Sequence, residues 1–67
     1  MLEIVRRLRE VRKLKKMSQL ELSRRIGVHK TYISQIENGI HNPSLKVTYA
    51  WCRALGCELN VIIKDLK

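Results

Sequence analysis

Acidic residues are scarce in this chain of 67 residues, which has 6 Asp and Glu against 14 Lys and Arg and a formal net charge of +8. The pI near 10.1 indicates a polyanionic partner, most simply nucleic acid, with an acidic membrane surface as the weaker alternative. The single aspartate, Asp65, lies in the tail, and the sequence has no glycine-rich phosphate loop and no motif that holds a base beside a nucleophile. We therefore do not expect an enzyme.

Long apolar runs are missing as well. No stretch approaches the roughly 20 apolar residues of a membrane span, and charges interrupt Met1 to Lys16 too often for a signal peptide. We expect a cytoplasmic protein, on the nucleoid if it is bacterial, so Cys52 and Cys57 should be reduced thiols. Neither they nor the two histidines have the spacing of a zinc site, so we expect no metal and no cofactor.

Helical periodicity is the main positive signal outside the centre of the chain. Apolar residues at spacings of three and four predict a first helix from about Leu2 to Lys15, and a second such pattern, capped by Ser44, predicts another from Leu45 to about Leu55. In the first helix, the residues expected to face inward are Ile4, Val5, Leu8, Val11 and Leu14. In the second, they are Leu45, Tyr49, Cys52 and Leu55, with Trp51 near the edge of the apolar face. The cations of the first helix form either a solvated face or a phosphate-binding one, and their number favours phosphate.

The centre of the chain is the most informative part, and residues 18–44 read SQLELSRRIGVHKTYISQIENGIHNPS. Ser18 is a helix N-cap with Glu21 three residues later, as in a capping box. This predicts a helix from about Gln19 that ends at Gly27, where a left-handed residue commonly closes a helix. A second helix then follows from about His29 to Glu37, with a polar face opposite its isoleucines.

These residues resemble the Cro and phage-repressor type of helix-turn-helix, whose pattern is roughly S-Q-x-x-L-A-x-x-x-G-V, then I-S-x-x-E-x-G and x-x-P-S. The positions in register are Ser18, Gln19, Leu22, Gly27, Val28, Ile33, Ser34, Glu37, Gly39, Pro43 and Ser44. The resemblance covers roughly residues 4 to 56 and departs from the family at Ser23, His29, Thr48 and Trp51. It implies a mainly helical, compact four-helix domain of the lambda-repressor type over residues 1–56, with the motif at about 18–37.

The resemblance also implies roles for individual side chains. The second motif helix would place Lys30, Thr31 and Gln35, and secondarily Ser34, at base edges in the major groove. Contacts to the DNA backbone are expected from Gln19, His29, Asn38, His41, Asn42 and Arg9. Family members often pair an arginine of the first helix with the motif glutamate, which makes Arg12 and Glu37 a structural ion pair here.

The last segment changes period. Cys57, Leu59, Val61 and Ile63 alternate with Glu58, Asn60, Ile62 and Lys64, which predicts a β-strand over residues 57–67. An isolated strand needs a partner, so we expect Leu59, Val61 and Ile63 to pair with the same strand of a second copy, as in the subgroup of the family that ends in a strand. The alternative is a strand-like tail packed on its own domain. A core this small also favours an oligomer.

Together these observations predict a regulator of transcription that binds double-stranded DNA as a homodimer, most simply a repressor at an inverted-repeat operator. The alternative is the antitoxin of a toxin–antitoxin pair, which would bind a toxin as well as its own operator. The sequence does not choose the sign of regulation or the operator.

Overall fold

Five α-helices form the regular structure of the part of the chain that the computed structural model describes, namely residues 2–65 without the side chains of Ile63 and Asp65. They are α1 (Glu3–Leu14), α2 (Gln19–Ile26), α3 (Lys30–Glu37), α4 (Leu45–Ala54) and α5 (Leu59–Asp65). Helix α2 packs against α3 and α4, while α1 packs against α3 and α5. The mainly helical class predicted from the sequence is confirmed.

Side-chain caps start α2, α3 and α4, and a residue with positive φ follows the end of each of the first four helices. Ser18 Oγ accepts the Glu21 N–H at 3.0 Å, and Ser44 Oγ accepts the Val47 N–H at 3.2 Å, so both predicted caps are confirmed. Gly27 closes α2 in the left-handed region, at a φ of 86°. A side chain there would be strained, which is why glycine suits the turn into α3.

The core combines buried side chains from all five helices. Its fully buried members are Leu8, Leu22, Ile33, Ile36 and Trp51. Helix α4 buries Thr48, Trp51, Cys52 and Leu55, so its buried stripe follows the three-and-four spacing around the indole of Trp51. The predicted inward positions Leu45 and Tyr49 were wrong, because this stripe leaves them 68% and 51% exposed, and Leu14 at the end of α1 is likewise 75% exposed.

The predicted C-terminal β-strand was also wrong, because residues 59–65 form α5, and residues 2–65 contain no strand. Leu59 and Ile62, three residues apart, lie on one face of α5, where Ile62 is 2% exposed and Leu59 packs against the core. Val61, which was expected to pair with the strand of a second copy, is 53% exposed. A helix satisfies its own backbone groups, so this segment needs no strand from a second copy. The ending therefore does not match the strand-ending subgroup.

Candidate nucleic-acid interface

Helix α3 presents a polar face at the surface of the domain. Lys30 and Thr31 are exposed in its first turn, and Ser34 and Gln35 are half-buried one turn later. The opposite face carries the buried Ile33 and Ile36. All four residues predicted to read bases thus lie on the solvent side of one short helix, which the isoleucines hold against the core.

The start of α2 lies beside this polar face. Gln19, Lys30, Thr31 and Ser34 line one open cavity of about 170 Å³. Three of the four predicted base readers therefore share a surface depression with the glutamine predicted to hold a phosphate. Gln35, which directly follows Ser34 in α3, does not line this cavity.

A buried carboxylate links α1, α2 and α3 behind the cavity. Arg12 Nε donates to Glu37 Oε2 at 2.7 Å, and Arg12 Nη2 donates to Oε1 at 2.9 Å. The third Arg12 contact, from Nη1 to the Met17 carbonyl oxygen at 2.7 Å, ties the same guanidinium to the turn before α2. Gln19 Nε2 donates to Glu37 Oε1 at 3.0 Å, and Arg9 Nε lies 3.8 Å from that oxygen.

This network gives Glu37 a wider role than the sequence predicted. The carboxylate orients the amide of Gln19 as well as the guanidinium of Arg12. Arg9, whose side chain is 43% exposed, adds a second cation around a single acid. The pairing of Gln19 with Glu37 was missed, because the two residues are 18 positions apart and on different helices, where periodicity carries no information on contacts.

Both ends of α3 carry residues predicted to touch the DNA backbone. His29 is exposed and caps the helix, with Nδ1 accepting the Thr31 N–H at 3.2 Å. Asn38 Nδ2 donates to Ser34 Oγ at 3.3 Å. His41 and Asn42 are exposed in the loop that follows.

The backbone of that loop is partly engaged inside the domain. The N–H groups of Ile40 and His41 donate to the Gln35 carbonyl oxygen at 2.9 and 3.4 Å. A phosphate at this loop would therefore meet the side chains of His41 and Asn42 rather than these two N–H groups.

The basic face of α1 is partly neutralised by its own acids. Arg7 Nη1 donates to Glu10 at 3.2 Å, and Arg6 lies 3.7 Å from Glu3. The interpretation of this face as phosphate-binding is thereby weakened at two of its cations.

The residues predicted for a dimer contact differ in exposure. Leu59 is half-buried, Val61 is exposed, and the side chain of Ile63 lies outside the described residues.

Among residues 2–65, no helix has the length and apolar character needed to cross a membrane.

The sequence pattern of the Helix-turn-helix family matches residues 8–62. An uncharacterised HTH-type transcriptional regulator of Sinorhizobium fredii is 43% identical over 63 residues, which cover 94% of this chain and 32% of that protein. An immunity repressor protein of Bacillus phage phi105 is 30% identical over 59 residues, or 88% of this chain and 41% of the repressor. An HTH-type transcriptional regulator of Archaeoglobus fulgidus is 38% identical over 56 residues, or 84% of this chain and 79% of that protein. The chain spans less than half the length of the first two relatives.

Proposed function

Because this chain belongs to the Helix-turn-helix family, of the Cro and phage-repressor type, we propose that it is a transcriptional regulator that binds double-stranded DNA. The observation that carries the proposal is the shared cavity of Gln19, Lys30, Thr31 and Ser34, where a potential phosphate anchor lies beside the polar face of α3. The net charge of +8 supports the same partner.

Base reading falls to the exposed face of α3. An α-helix fits the major groove of B-DNA, where the side chains of its first turns reach base edges. Lys30 donates to guanine O6 and N7, Gln35 forms paired hydrogen bonds with adenine, and the methyl and hydroxyl groups of Thr31 suit thymine. Ser34 contributes a further hydroxyl, which Asn38 already orients.

Backbone contacts surround that face. Gln19 and Arg9 approach one phosphate strand from the edge of the cavity, while His29, Asn38, His41 and Asn42 approach from the two ends of α3. These contacts set position and orientation, and the α3 side chains supply sequence preference. Arg12 keeps Glu37 neutralised, so the acid beside the interface does not repel DNA.

The protein acts as a homodimer on an inverted repeat. We assign the contact between copies to Tyr49 on α4 and Val61 on α5, two apolar side chains that are each more than half exposed. A two-fold axis through this contact presents two α3 helices to successive major grooves, roughly 34 Å apart. This contact replaces the strand pairing that the sequence suggested.

Repression is the sign of regulation that we favour, because one of the similar proteins is named an immunity repressor. The protein would act where DNA is, in the cytoplasm and, if its source is a bacterium, on the nucleoid. The antitoxin alternative stays a prediction, and no contact in the described residues favours a toxin partner.

The test is selection of bound sites from a randomised duplex library, with non-specific competitor DNA at near-physiological salt. We expect an inverted repeat with half-sites about one helical turn apart. Recovery of no motif, with binding that collapses as salt rises, would contradict the proposal, because charge alone would then account for binding.

Two matched lysine variants test whether the side chains of α3 read the DNA bases. Lys30→Ala should change the preferred base at one position of each half-site. Lys64→Ala removes the same charge from an exposed site on α5 and should leave the preference unchanged. Equal effects of the two variants would argue against base reading by α3.

A further inference from the structure

Cys52 and Cys57 meet across the end of α4. The Cys57 N–H donates to the Cys52 carbonyl oxygen at 3.0 Å, and the Gly56 N–H donates to the Arg53 carbonyl oxygen at 3.1 Å. Gly56 has a φ of +70°. This is the backbone closure that brings the third residue from the end of a helix against the second residue beyond its C-cap.

The Cys57 thiol lies against the backbone of Cys52 in this closure. Cys57 Sγ donates to the Cys52 carbonyl oxygen at 3.5 Å. Burial, and to a smaller extent the charge and hydrogen bond of the Cys57 thiol, together raise the pKa of the Cys52 thiol to about 11. Cys52 is therefore protonated at neutral pH.

A small reagent can reach the pair from the surface. Both cysteines line an open cavity of about 290 Å³, whose rim includes Tyr49, Arg53 and Glu58. Cys57 is half-buried and Cys52 is 2% exposed, so a reagent in the cavity meets Cys57 first.

We propose that Cys52 and Cys57 form a site of reversible oxidation, which takes a low-molecular-weight disulfide such as oxidised glutathione and closes an intramolecular disulfide bond. The proposal goes beyond DNA binding and does not depend on it. Both cysteines are free thiols in the structure, which is the reduced state of the pair.

The reaction proceeds by two thiol–disulfide exchanges. The Cys57 thiolate attacks one sulfur of the small disulfide, whose S–S bond breaks and releases one small thiol. Cys52 then loses its proton and attacks the Cys57 sulfur, which breaks the mixed disulfide and releases the second small thiol. The protein gives up two electrons and two protons, and the small disulfide takes up both.

The bond would join the last turn of α4 to the segment that leads into α5. Helix α5 is held on the bundle through its contacts with α1 and the buried Ile62. Oxidation therefore fixes α5 against the other helices, and a cross-link between residues that already touch raises resistance to unfolding.

The test uses the full chain in buffers of varied reduced to oxidised glutathione ratio, followed by acid quench, alkylation of free thiols and intact mass spectrometry. Because Tyr49 belongs to both the cavity rim and the proposed dimer contact, the measurement is made at concentrations where the protein sediments as a monomer. The wild type should convert to a monomer that lacks two hydrogens and carries neither alkyl groups nor glutathione.

Single-cysteine variants separate the two steps. Cys52→Ala should keep a stable glutathione adduct on Cys57, and in Cys57→Ser the remaining Cys52 should stay unmodified until urea is added. A further readout needs no variant. Unfolding in urea should lower the equilibrium constant for forming the wild-type disulfide from oxidised glutathione about tenfold or more, because the folded end of α4 holds the two cysteines together.

Three results would overturn the proposal: a wild type that keeps both thiols free at every ratio, one that accumulates the glutathione adduct without closing the disulfide, or one that forms disulfides only between chains. An equilibrium constant that does not change in urea would also overturn it, since the fold would then contribute nothing to the pairing.

Discussion

Arg12 on α1 donates two parallel hydrogen bonds, of 2.7 and 2.9 Å, to the carboxylate of Glu37 at the end of α3. Arg12 is 8% exposed and Glu37 is 1% exposed, so both charges have left water. Two donors facing two acceptors is the geometry that guanidinium and carboxylate favour. The pair sets the position of α1 relative to the polar face of α3.

Removing Arg12 alone should be costly. Arg12→Met would leave Glu37 buried without its main partner, and we expect a loss of about 3–5 kcal/mol in the free energy of unfolding. The double variant Arg12→Met with Glu37→Leu should lose much less than the sum of the two single variants. Urea unfolding followed by the fluorescence of Trp51, the only tryptophan, measures all three.

An exposed pair on the same helix supplies the control. Arg6 lies 3.7 Å from Glu3, with both side chains more than 60% exposed, so Arg6→Met should cost less than about 1 kcal/mol. A cost for Arg12→Met as small as this would show that the buried pair does not hold the domain together.

His29 has two roles that substitution can separate. As the N-cap of α3 it accepts the Thr31 N–H, so His29→Ala should lower the free energy of unfolding by about 1 kcal/mol. His29→Ser restores an acceptor and should recover that stability. If the imidazole also touches a phosphate, His29→Ser will still bind DNA more weakly, and equal DNA affinity of wild type and His29→Ser would remove His29 from the interface.

Lys16 ends α1 in a conformation that suits glycine better. Among residues 2–65 it is the only residue other than glycine with positive φ, at 56°. Lys16→Gly should raise the free energy of unfolding by about 1 kcal/mol, because it relieves the clash of a Cβ atom in the left-handed region. Lys15→Gly is the control, since Lys15 has helical φ and glycine there should destabilise. Destabilisation by both variants would contradict the account of this turn.

Val61 tests the proposed contact between copies. It is 53% exposed on α5, so Val61→Glu should leave the helix content unchanged and shift the protein to monomer in sedimentation equilibrium. Leu14, at the end of α1, is 75% exposed. Leu14→Glu makes a comparable change there and should leave the dimer intact. The contact is wrong if Val61→Glu dimerises as the wild type does, or if the wild type itself is monomeric at every concentration.

Local chemistry could be predicted from the sequence. The Ser18 and Ser44 caps and the turn at Gly27 depend on residues within a few positions of one another, and all three occur as expected. The positions of Lys30 and Thr31 on an exposed helix face follow from the same local pattern. Their contacts with DNA stay predictions.

Features set by packing could not be predicted in this way. Residues 59–65 are too short to distinguish a period of two from a helical one, and the burial of Ile62 against the core decided for a helix. In α4 the volume of Trp51 selects the buried stripe over the one through Leu45 and Tyr49. The link between Gln19 and Glu37 likewise exists only once α2 and α3 are packed together.

The most direct test of the central claim, that the polar face of α3 is the DNA interface, is nuclear magnetic resonance titration of the labelled protein with a duplex carrying the selected site. We expect the largest amide shift changes at Gln19, across residues 30–35 and in the loop at 38–42. Changes concentrated instead on the basic face of α1, around Arg6 and Lys13, or on α4 and α5 would contradict the claim.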